Sequence, residues 1–447
     1  MKILPKCDII KVAQNHVTST YERISTMINY NTLTHNLKRD ILKFSKKVSK
    51  DLKRPEFKFV SHMIFGILNS QSCHLSKIAR VLNEKISLKK IIDRLSRNLM
   101  TFKDSVILIE GYLHVVKQQI NKNSILIIDG SDITKPCSTK MENLSRVRDG
   151  STGEYKNGYY TLGVVALTPE KKMPISVYSR IYSATEKSFV SEDEEVLNAL
   201  KFLGKHFKKS NIRAFDRGYD NNIYYSHLIK NNEKFIIRAK KNRDVIYKGE
   251  RINIYELAKR FKGKYRLNFK NKSGLSAECK ISIIPISLPC RPNDELNMVV
   301  CYGFGKIPMM LITNLKSDDK RLSVAVSKVY LMRWRIEEFY RFKKQQFNFE
   351  DLRVRSLKSI RNLDLMLTIA IGYIGLISEK HEDRLTVMQI IKVSKRIYNT
   401  SKFVFYAIAD GLFTIFSRCK QGIADMLIKK PKSMQLCFLK DDCFDIA

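Results

Sequence analysis

The feature that most constrains the fold of this chain is a change of hydrophobic period at Ser124. Upstream, apolar residues recur at helical spacing, whereas "SILIIDG", residues 124–130, is a short apolar run that ends in the carboxylate of Asp129. Such a run predicts a buried β-strand. Two further strand patterns and then a helix, a strand, a helix and a strand follow up to about residue 241, so the sequence predicts an α/β core.

The segments on either side of this core have other patterns. Residues 1–120 predict helices, and the second of two short helical patterns there is crowded with basic residues, namely Lys89, Lys90, Arg94 and Arg97. The pair suits a helix-turn-helix lying on DNA or, equally, a plain helical hairpin with a solvated face. Residues 242–317 predict strands broken by Gly, Pro and Asn, and the patterns after residue 318 are again mostly helical.

The charge of the chain predicts a polyanionic partner. Lys and Arg number 81 against 44 Asp and Glu, a net charge of +37 over 447 residues. DNA or RNA is the default partner, because counterion release drives its binding. An anionic membrane is the alternative, but the sequence has no basic amphipathic anchor, and the apolar residues 363–377 are shorter than the ~20 that a bilayer requires. The scattered cysteines indicate reduced thiols and a cytoplasmic location.

Two aspartates follow predicted strand ends. Asp129 ends the first strand of the core and Asp216 ends the short strand "IRAF". Carboxylates on neighbouring strands can share divalent cations, and hard oxygen ligands suit Mg2+ or Mn2+. The alternative is that each aspartate begins a turn or caps a helix.

The segment "YLMRWRIEEFYRFKKQQF", residues 330–347, predicts one helix with a functional stripe. Four residues at offsets of 0, 3, 7 and 14 fall on one face: Tyr330, Arg333, Glu337 and Lys344. A carboxylate between cations is commonly a structural salt-bridge ladder. The order strand Asp, strand Asp, β-rich segment and helix Glu favours a third metal-binding carboxylate at Glu337. Glu338 points about 100° away, which predicts a structural role.

These residues together resemble the IS4-type bacterial insertion-sequence transposases, a DDE family. The spacing from Tyr330 to Lys344 looks like the family signature, and "RWRIEEF" within it is typical. Asp129 and Asp216 stand where the other two acidic residues of the family stand, and Asp132 is a nearby rival to Asp129. The resemblance covers roughly residues 120–380. It implies an α/β fold with an RNase H-like mixed-sheet core, interrupted by an all-β insertion, and with helical N-terminal and C-terminal regions.

The resemblance also implies a division of labour along the chain. It gives a DNA-end-binding domain at 1–120, the core at 121–241 and 318–380, the insertion at 242–317, and a helical region at 381–447 that supports dimerisation. Asp129, Asp216 and Glu337 hold two Mg2+ or Mn2+ ions for nicking and strand transfer of double-stranded DNA. Arg333 and Lys344 contact DNA phosphates, and Tyr330 supports them.

Family members that cut through a DNA hairpin hold a flipped base on an aromatic residue of the insertion. Met309 stands where that residue is expected, so Tyr302 and Phe304 are candidates to replace it. Trp334, in the signature helix, is a third candidate, with packing as its alternative role. The sequence leaves the hairpin step open.

Two other functions use similar parts. A domesticated or inactive transposase that only binds DNA would have lost an acidic residue, and all three are present. A metal-dependent nuclease of the same fold would need neither the insertion nor a separate end-binding domain. The resemblance further implies a homodimer that synapses two ends, no membrane partner, and a bacterial, nucleoid-associated protein.

Overall fold

The computed structural model describes residues 29–167, 173–270, 276–305, 307–316, 320–379, 384–394, 403–419 and 422–427. Predictions for residues 1–28 and 428–447 lie outside this part of the chain. The N-terminal region is helical, as predicted, with α1 Tyr30–Val48, α2 Arg54–Ser70, α3 Leu75–Leu82, α4 Leu88–Thr101 and α5 Ser105–Val116. The two short helices predicted there are α3 and α4. Asn83 ends α3 in the left-handed conformation, with φ 47°, which Asn tolerates better than most residues.

The core contains a mixed sheet with two helices. Its elements are β1 Ile125–Thr134, β2 Ser145–Arg148, β3 Tyr155–Leu167, β4 Pro174–Tyr182, α6 Glu192–His206, β5 Ile212–Phe215, α7 Asn222–Lys230 and β6 Phe235–Arg238. The strands lie in the order β4–β3–β1–β5–β6. β1 is antiparallel to β3 and parallel to β5, which is parallel to β6. This is the predicted RNase H-like mixed sheet, and β2 is a short strand that the sequence patterns do not predict.

The predicted insertion continues the same sheet. It comprises β7 Asp244–Tyr247, β8 Glu250–Asn253, α8 Ile254–Lys259, β9 Tyr265–Lys270, β10 Ser276–Leu288, β11 Arg291–Tyr302 and β12 Met309–Thr313. β12 pairs antiparallel with β6, so the insertion strands extend the core sheet. Helix α8 is the one departure from an all-β segment within these described residues. It begins where the Asn253 side chain accepts hydrogen bonds from two backbone N–H groups.

The remaining helices are α9 Lys320–Leu331, α10 Trp334–Gln346, α11 Leu357–Glu379, α12 Arg384–Val393 and α13 Phe405–Ser417. The prediction of one helix over residues 330–347 is therefore wrong. The chain turns at Met332 and Arg333, where the N–H of Arg333 donates to the carbonyl of Tyr330 at 2.9 Å. This turn divides the predicted helix in two, with Tyr330 on α9 and Glu337 on α10.

Helix α11 is the centre of the helical layer. It is the single described helix long and apolar enough to cross a membrane by composition, but almost all of it is buried within the protein. It packs against α2, α4, α5, α13 and β4. Asp364, which is 2% exposed, pairs with Lys343 of α10 and accepts a 2.6 Å hydrogen bond from Ser179. α11 is therefore a core helix, as predicted, with the charge of its buried Asp364 balanced by Lys343.

One hydrophobic cluster joins the N-terminal helices, the core sheet, α11 and α13. Two ring pairs show the connection, Phe44–Tyr373 with centroids 5.2 Å apart and Phe65–Phe416 at 5.4 Å. A second cluster lies between the insertion strands and α9, and it includes Tyr330. The helices at the two ends of the chain thus share one core.

Candidate functional site

Two aspartates lie side by side where the parallel pairing of β1 and β5 ends, although β1 itself continues to Thr134, beyond the strand end predicted at Asp129. The parallel pairing of β1 and β5 ends at Ile128 and Phe215, so the residues that follow immediately are Asp129 and Asp216. Carboxyl ends of parallel strands meet at one sheet edge, where an α/β sheet forms its binding crevice. Their side chains are 18% and 38% exposed. The predicted juxtaposition of the two carboxylates therefore follows from strand register.

Helix α10 adds a carboxylate and a cation to this edge. Arg333, at its N-terminus, places Nη1 2.8 Å from Asp129 Oδ2 and Nη2 2.5 Å from Glu337 Oε1. Its Nε lies 3.8 Å from Asp216 Oδ1. Three carboxylates from two strands and one helix thus converge on a single guanidinium that is itself 13% exposed.

The environments of the two aspartates shift their pKa values in opposite directions. Burial raises the pKa of Asp129 to about 7, with the charges of Asp216 and Glu337 adding to it and Arg333 opposing it. Burial acts on Asp216 too, but Arg333, the N–H of Arg217 and the hydroxyl of Tyr330 outweigh it, so its pKa is lowered. Tyr330 donates to Asp216 Oδ1 at 2.9 Å. Strongly perturbed carboxyl groups in a cleft are typical of functional sites.

Lys344 contacts a different acidic pair. Its Nζ lies 3.3 Å from Asp132 Oδ2 and 3.1 Å from Glu350 Oε1. Asp132 also accepts from the N–H of Gly150 at 3.3 Å. The structure therefore gives Asp132 a partner outside the carboxylate cluster, whereas Asp129 lies within it.

Tyr340 is a residue of the site that the sequence patterns did not indicate. This tyrosine follows Glu337 by one helical turn, and its hydroxyl donates to the backbone carbonyl of Asp129 at 2.8 Å. Gly163, which faces Asp129 in the β1–β3 register, makes room for the hydroxyl. A signal was available in "TLGVVAL", because a glycine inside an apolar strand often marks a close approach.

The donor set fits hard divalent cations, but the arrangement is not a closed metal site. Carboxylate oxygens are the ligands that Mg2+ and Mn2+ prefer. Within the described ranges, no group of three or more His, Cys, Asp and Glu side chains is arranged to hold a metal ion. The guanidinium of Arg333 lies among the three carboxylates, and its single positive charge offsets part of their negative charge.

The two arginines of α4 that were predicted to contact DNA differ in their surroundings. Arg94 forms a two-point ion pair with Glu84, one contact of which is 2.7 Å, and Glu84 lies 3.4 Å from His62. Arg97 is exposed on the surface of the helix. Arg94 therefore has a structural partner within the helical region, which the sequence spacing did not show.

The three candidates for base stacking lie in different surroundings. Tyr302 is half-buried and donates to the carbonyl of Ala258 at 2.8 Å, and Phe304 packs against the second cluster. Trp334 is 41% exposed next to Arg333, with the Arg335 guanidinium 4.5 Å from its ring centre. Met309 is buried within the second cluster. Among these residues, Trp334 is the aromatic side chain nearest in sequence to the carboxylate cluster and open to solvent.

Comparison with solved structures gives distant similarity. A piggyBac transposase synaptic complex with hairpin DNA is 11% identical with a TM-score of 0.42, covering 93% of this chain and 85% of that one. The NurA nuclease from Sulfolobus solfataricus is 13% identical with a TM-score of 0.25, covering 54% of this chain and 86% of that one. Both the sequence identities and the TM-scores are low. No curated protein matches.

The sequence itself matches a known family over more than half of its length. Residues 120–372 fit the transposase DDE domain, and this range contains the whole mixed sheet and all three converging carboxylates. The chain therefore belongs to the transposase DDE domain family.

Proposed function

We propose that this protein is a DNA transposase of the cut-and-paste type, which binds the ends of an insertion sequence, cleaves them and transfers them to target DNA. The observation that carries this proposal is the convergence of Asp129, Asp216 and Glu337 on the single guanidinium of Arg333. Its setting, at a sheet edge within a matched DDE domain, is where the family resemblance expects the reacting phosphate.

In this proposal, Asp129, Asp216 and Glu337 would hold two divalent cations, Mg2+ or Mn2+. Bound there, the ions supply an activated attacking oxygen and charge stabilisation for the leaving one. The chain supplies position. β1 and β5 fix the two aspartates in register, α10 brings Glu337 across them, and Tyr330 holds the carboxylate of Asp216 by a 2.9 Å hydrogen bond.

Arg333 would exchange partners when DNA arrives. In the protein alone its guanidinium contacts all three carboxylates and offsets part of their charge. A planar guanidinium binds a phosphate as well as a carboxylate, through paired hydrogen bonds. Movement of Arg333 from the carboxylates to a DNA phosphate would open the cluster to cations at the moment when substrate is present.

The rest of the molecule supports a DNA partner. The net charge of +37 favours a polyanion, and Arg97 and Lys344 are candidates to contact the phosphate backbone. Arg94, which is paired with Glu84, would contribute through the position of α4. We further propose a homodimer that synapses two ends, working on DNA in the bacterial cytoplasm.

The experiment compares cleavage of linear DNA carrying the sequences that flank the gene, in Mg2+ or Mn2+, by the native protein, Glu337→Gln and Glu338→Gln. Glu338 pairs with Arg341 at 2.7 Å on the same helix, so it is a matched control. We expect the native protein and Glu338→Gln to nick the ends, and Glu337→Gln to bind DNA without nicking it. Binding without cleavage by all three would instead indicate an inactive DNA-binding protein. Cleavage without strand transfer would indicate a nuclease.

A further inference from the structure

Two carboxylates of the site belong to elements that are far apart in the sequence and are not paired as strands of the sheet. Asp129 lies on β1, and Glu337 lies on α10, which crosses that strand. Metal-supported phosphoryl transfer needs ligand positions held to within about 0.5 Å. Some contact must therefore set the spacing between the helix and the strand.

Tyr340 makes such a contact. It lies three residues after Glu337, on nearly the same face of α10. Its hydroxyl donates to the backbone carbonyl of Asp129 at 2.8 Å, just beyond the point where the β1–β5 pairing ends at Ile128.

The neighbouring strand is shaped to admit this hydroxyl. Gly163 of β3 is the register partner of Asp129, and a Cβ added there would lie 2.5 Å from the Tyr340 hydroxyl and 3.2 Å from its Cζ. The pairing of β3 with β4 shifts register between Val164 and Val165, one residue further on. Glycines and bulges of this kind often occur next to active sites, where they allow a close approach.

We propose that Tyr340 is a positioning residue for the reaction: its hydroxyl, seated in the notch at Gly163, fixes the helix that carries Glu337 to the strand that carries Asp129. The inference rests on the proposed metal-dependent function of this site. Tyr340 is buried, with 7% of its surface exposed, so its role is one of position. It acts through the backbone of Asp129, in the way that outer-shell hydrogen bonds orient metal ligands.

The test measures Mn2+ binding to the full-length protein by calorimetry, together with thermal unfolding and cleavage, for Tyr340→Phe and a matched control. The control is Tyr112→Phe, because the Tyr112 hydroxyl also donates to a backbone carbonyl, that of Ser176 at 2.8 Å, against a glycine notch at Gly372. We expect both variants to fold with similar midpoints. Tyr340→Phe should bind Mn2+ about 10-fold more weakly or worse and cleave more slowly at limiting metal, whereas Tyr112→Phe should do neither.

A second pair of variants uses the notch. Gly163→Ala should lower both the unfolding midpoint and the Mn2+ affinity, because its Cβ would clash with the hydroxyl. Adding Tyr340→Phe removes that hydroxyl, so the double variant should regain stability while its Mn2+ affinity remains as weak as that of Tyr340→Phe. A purely structural role predicts instead that affinity recovers with stability.

Two failures can be told apart. If the native protein binds Mn2+ and Tyr340→Phe binds it equally well, the positioning role is overturned and the proposed function stands. If neither the native protein nor Arg333→Gln, in which the guanidinium no longer occupies the carboxylate cluster, binds Mn2+, the metal-dependent function is overturned together with the inference that rests on it.

Discussion

At the residue scale, the site is defined by one cation placed among three acids. Sequence reasoning selected Asp129, Asp216 and Glu337, because strand ends and a signature spacing can be read along the chain. It assigned Arg333 to DNA phosphate and could not show that this side chain pairs with all three acids. The contact with Asp129 joins residues 204 positions apart, and only the assembled sheet brings them together.

Removing the guanidinium should make the protein a better metal binder before DNA arrives. In Arg333→Gln the carboxylates lose their internal counter-charge, so Mn2+ should bind about 10-fold more tightly, or more, and should raise the unfolding midpoint further than in the native protein. DNA cleavage should fall at the same time. The measurement is calorimetric titration with Mn2+ without DNA.

The control for this change is Arg341→Gln, which removes an arginine paired with Glu338 on the outer side of the same helix. It should leave the Mn2+ affinity at the native value. Equal or weaker Mn2+ binding by Arg333→Gln would show that the guanidinium does not compete with cations for the carboxylates.

At the element scale, the turn between α9 and α10 is the clearest difference from the sequence prediction. No Gly or Pro lies between Tyr330 and Phe347, so local signals gave no reason to end a helix there. Tertiary packing supplies the reason. α9 packs on the insertion strands, whereas α10 packs on β1 and α13, and the chain must turn between these two surfaces.

The basic helix α4 forms a charged contact with the preceding turn and with α2, and the helical spacing of the sequence does not predict this contact. Glu84, in the turn before it, pairs with Arg94 and lies 3.4 Å from His62 of α2. Burial, together with the charges of Arg94 and Lys58, lowers the pKa of His62 to about 4 despite Glu84. His62 is therefore held neutral in the folded protein at neutral pH.

This histidine predicts a pH dependence of stability. An unfolded histidine takes up a proton near pH 6.5, whereas His62 in the folded protein resists protonation until about pH 4. The stability it contributes is thus complete above pH 6.5 and is lost as the pH falls towards 4, at no more than about 1.4 kcal/mol per pH unit. Denaturant unfolding at several pH values should show this loss, and His62→Asn should reduce it.

His35, an exposed histidine of α1, offers the control for that series. His35→Asn should leave the native pH dependence in place between pH 6.5 and 4. An unchanged slope in His62→Asn would mean that another group titrates in this window.

At the scale of the whole molecule, the helical ends are not independent of one another. The sequence predicted a separate N-terminal domain at 1–120, and its apolar faces were readable from their period. Their partners were not, because a hydrophobic face does not specify what covers it. In the structure α2, α4 and α5 pack on α11, and Phe65 of α2 meets Phe416 of α13.

This shared core predicts how fragments behave. Residues 1–120 expressed alone would expose the faces that α11 and α13 cover, so the fragment should lack a cooperative thermal transition by circular dichroism. The full chain should unfold in a transition that includes the N-terminal helices. A sharp, reversible melt of the fragment would contradict the prediction and would restore an autonomous end-binding domain.

The position of Phe416 also has a consequence for folding during synthesis on the ribosome. The ribosome releases the helices around Phe65 first, yet their partner on α13 emerges some 350 residues later, after about 20 to 70 s at ordinary synthesis rates. Until then the basic N-terminal segment has no finished fold. A gene copy interrupted before this point would therefore make no stably folded N-terminal fragment.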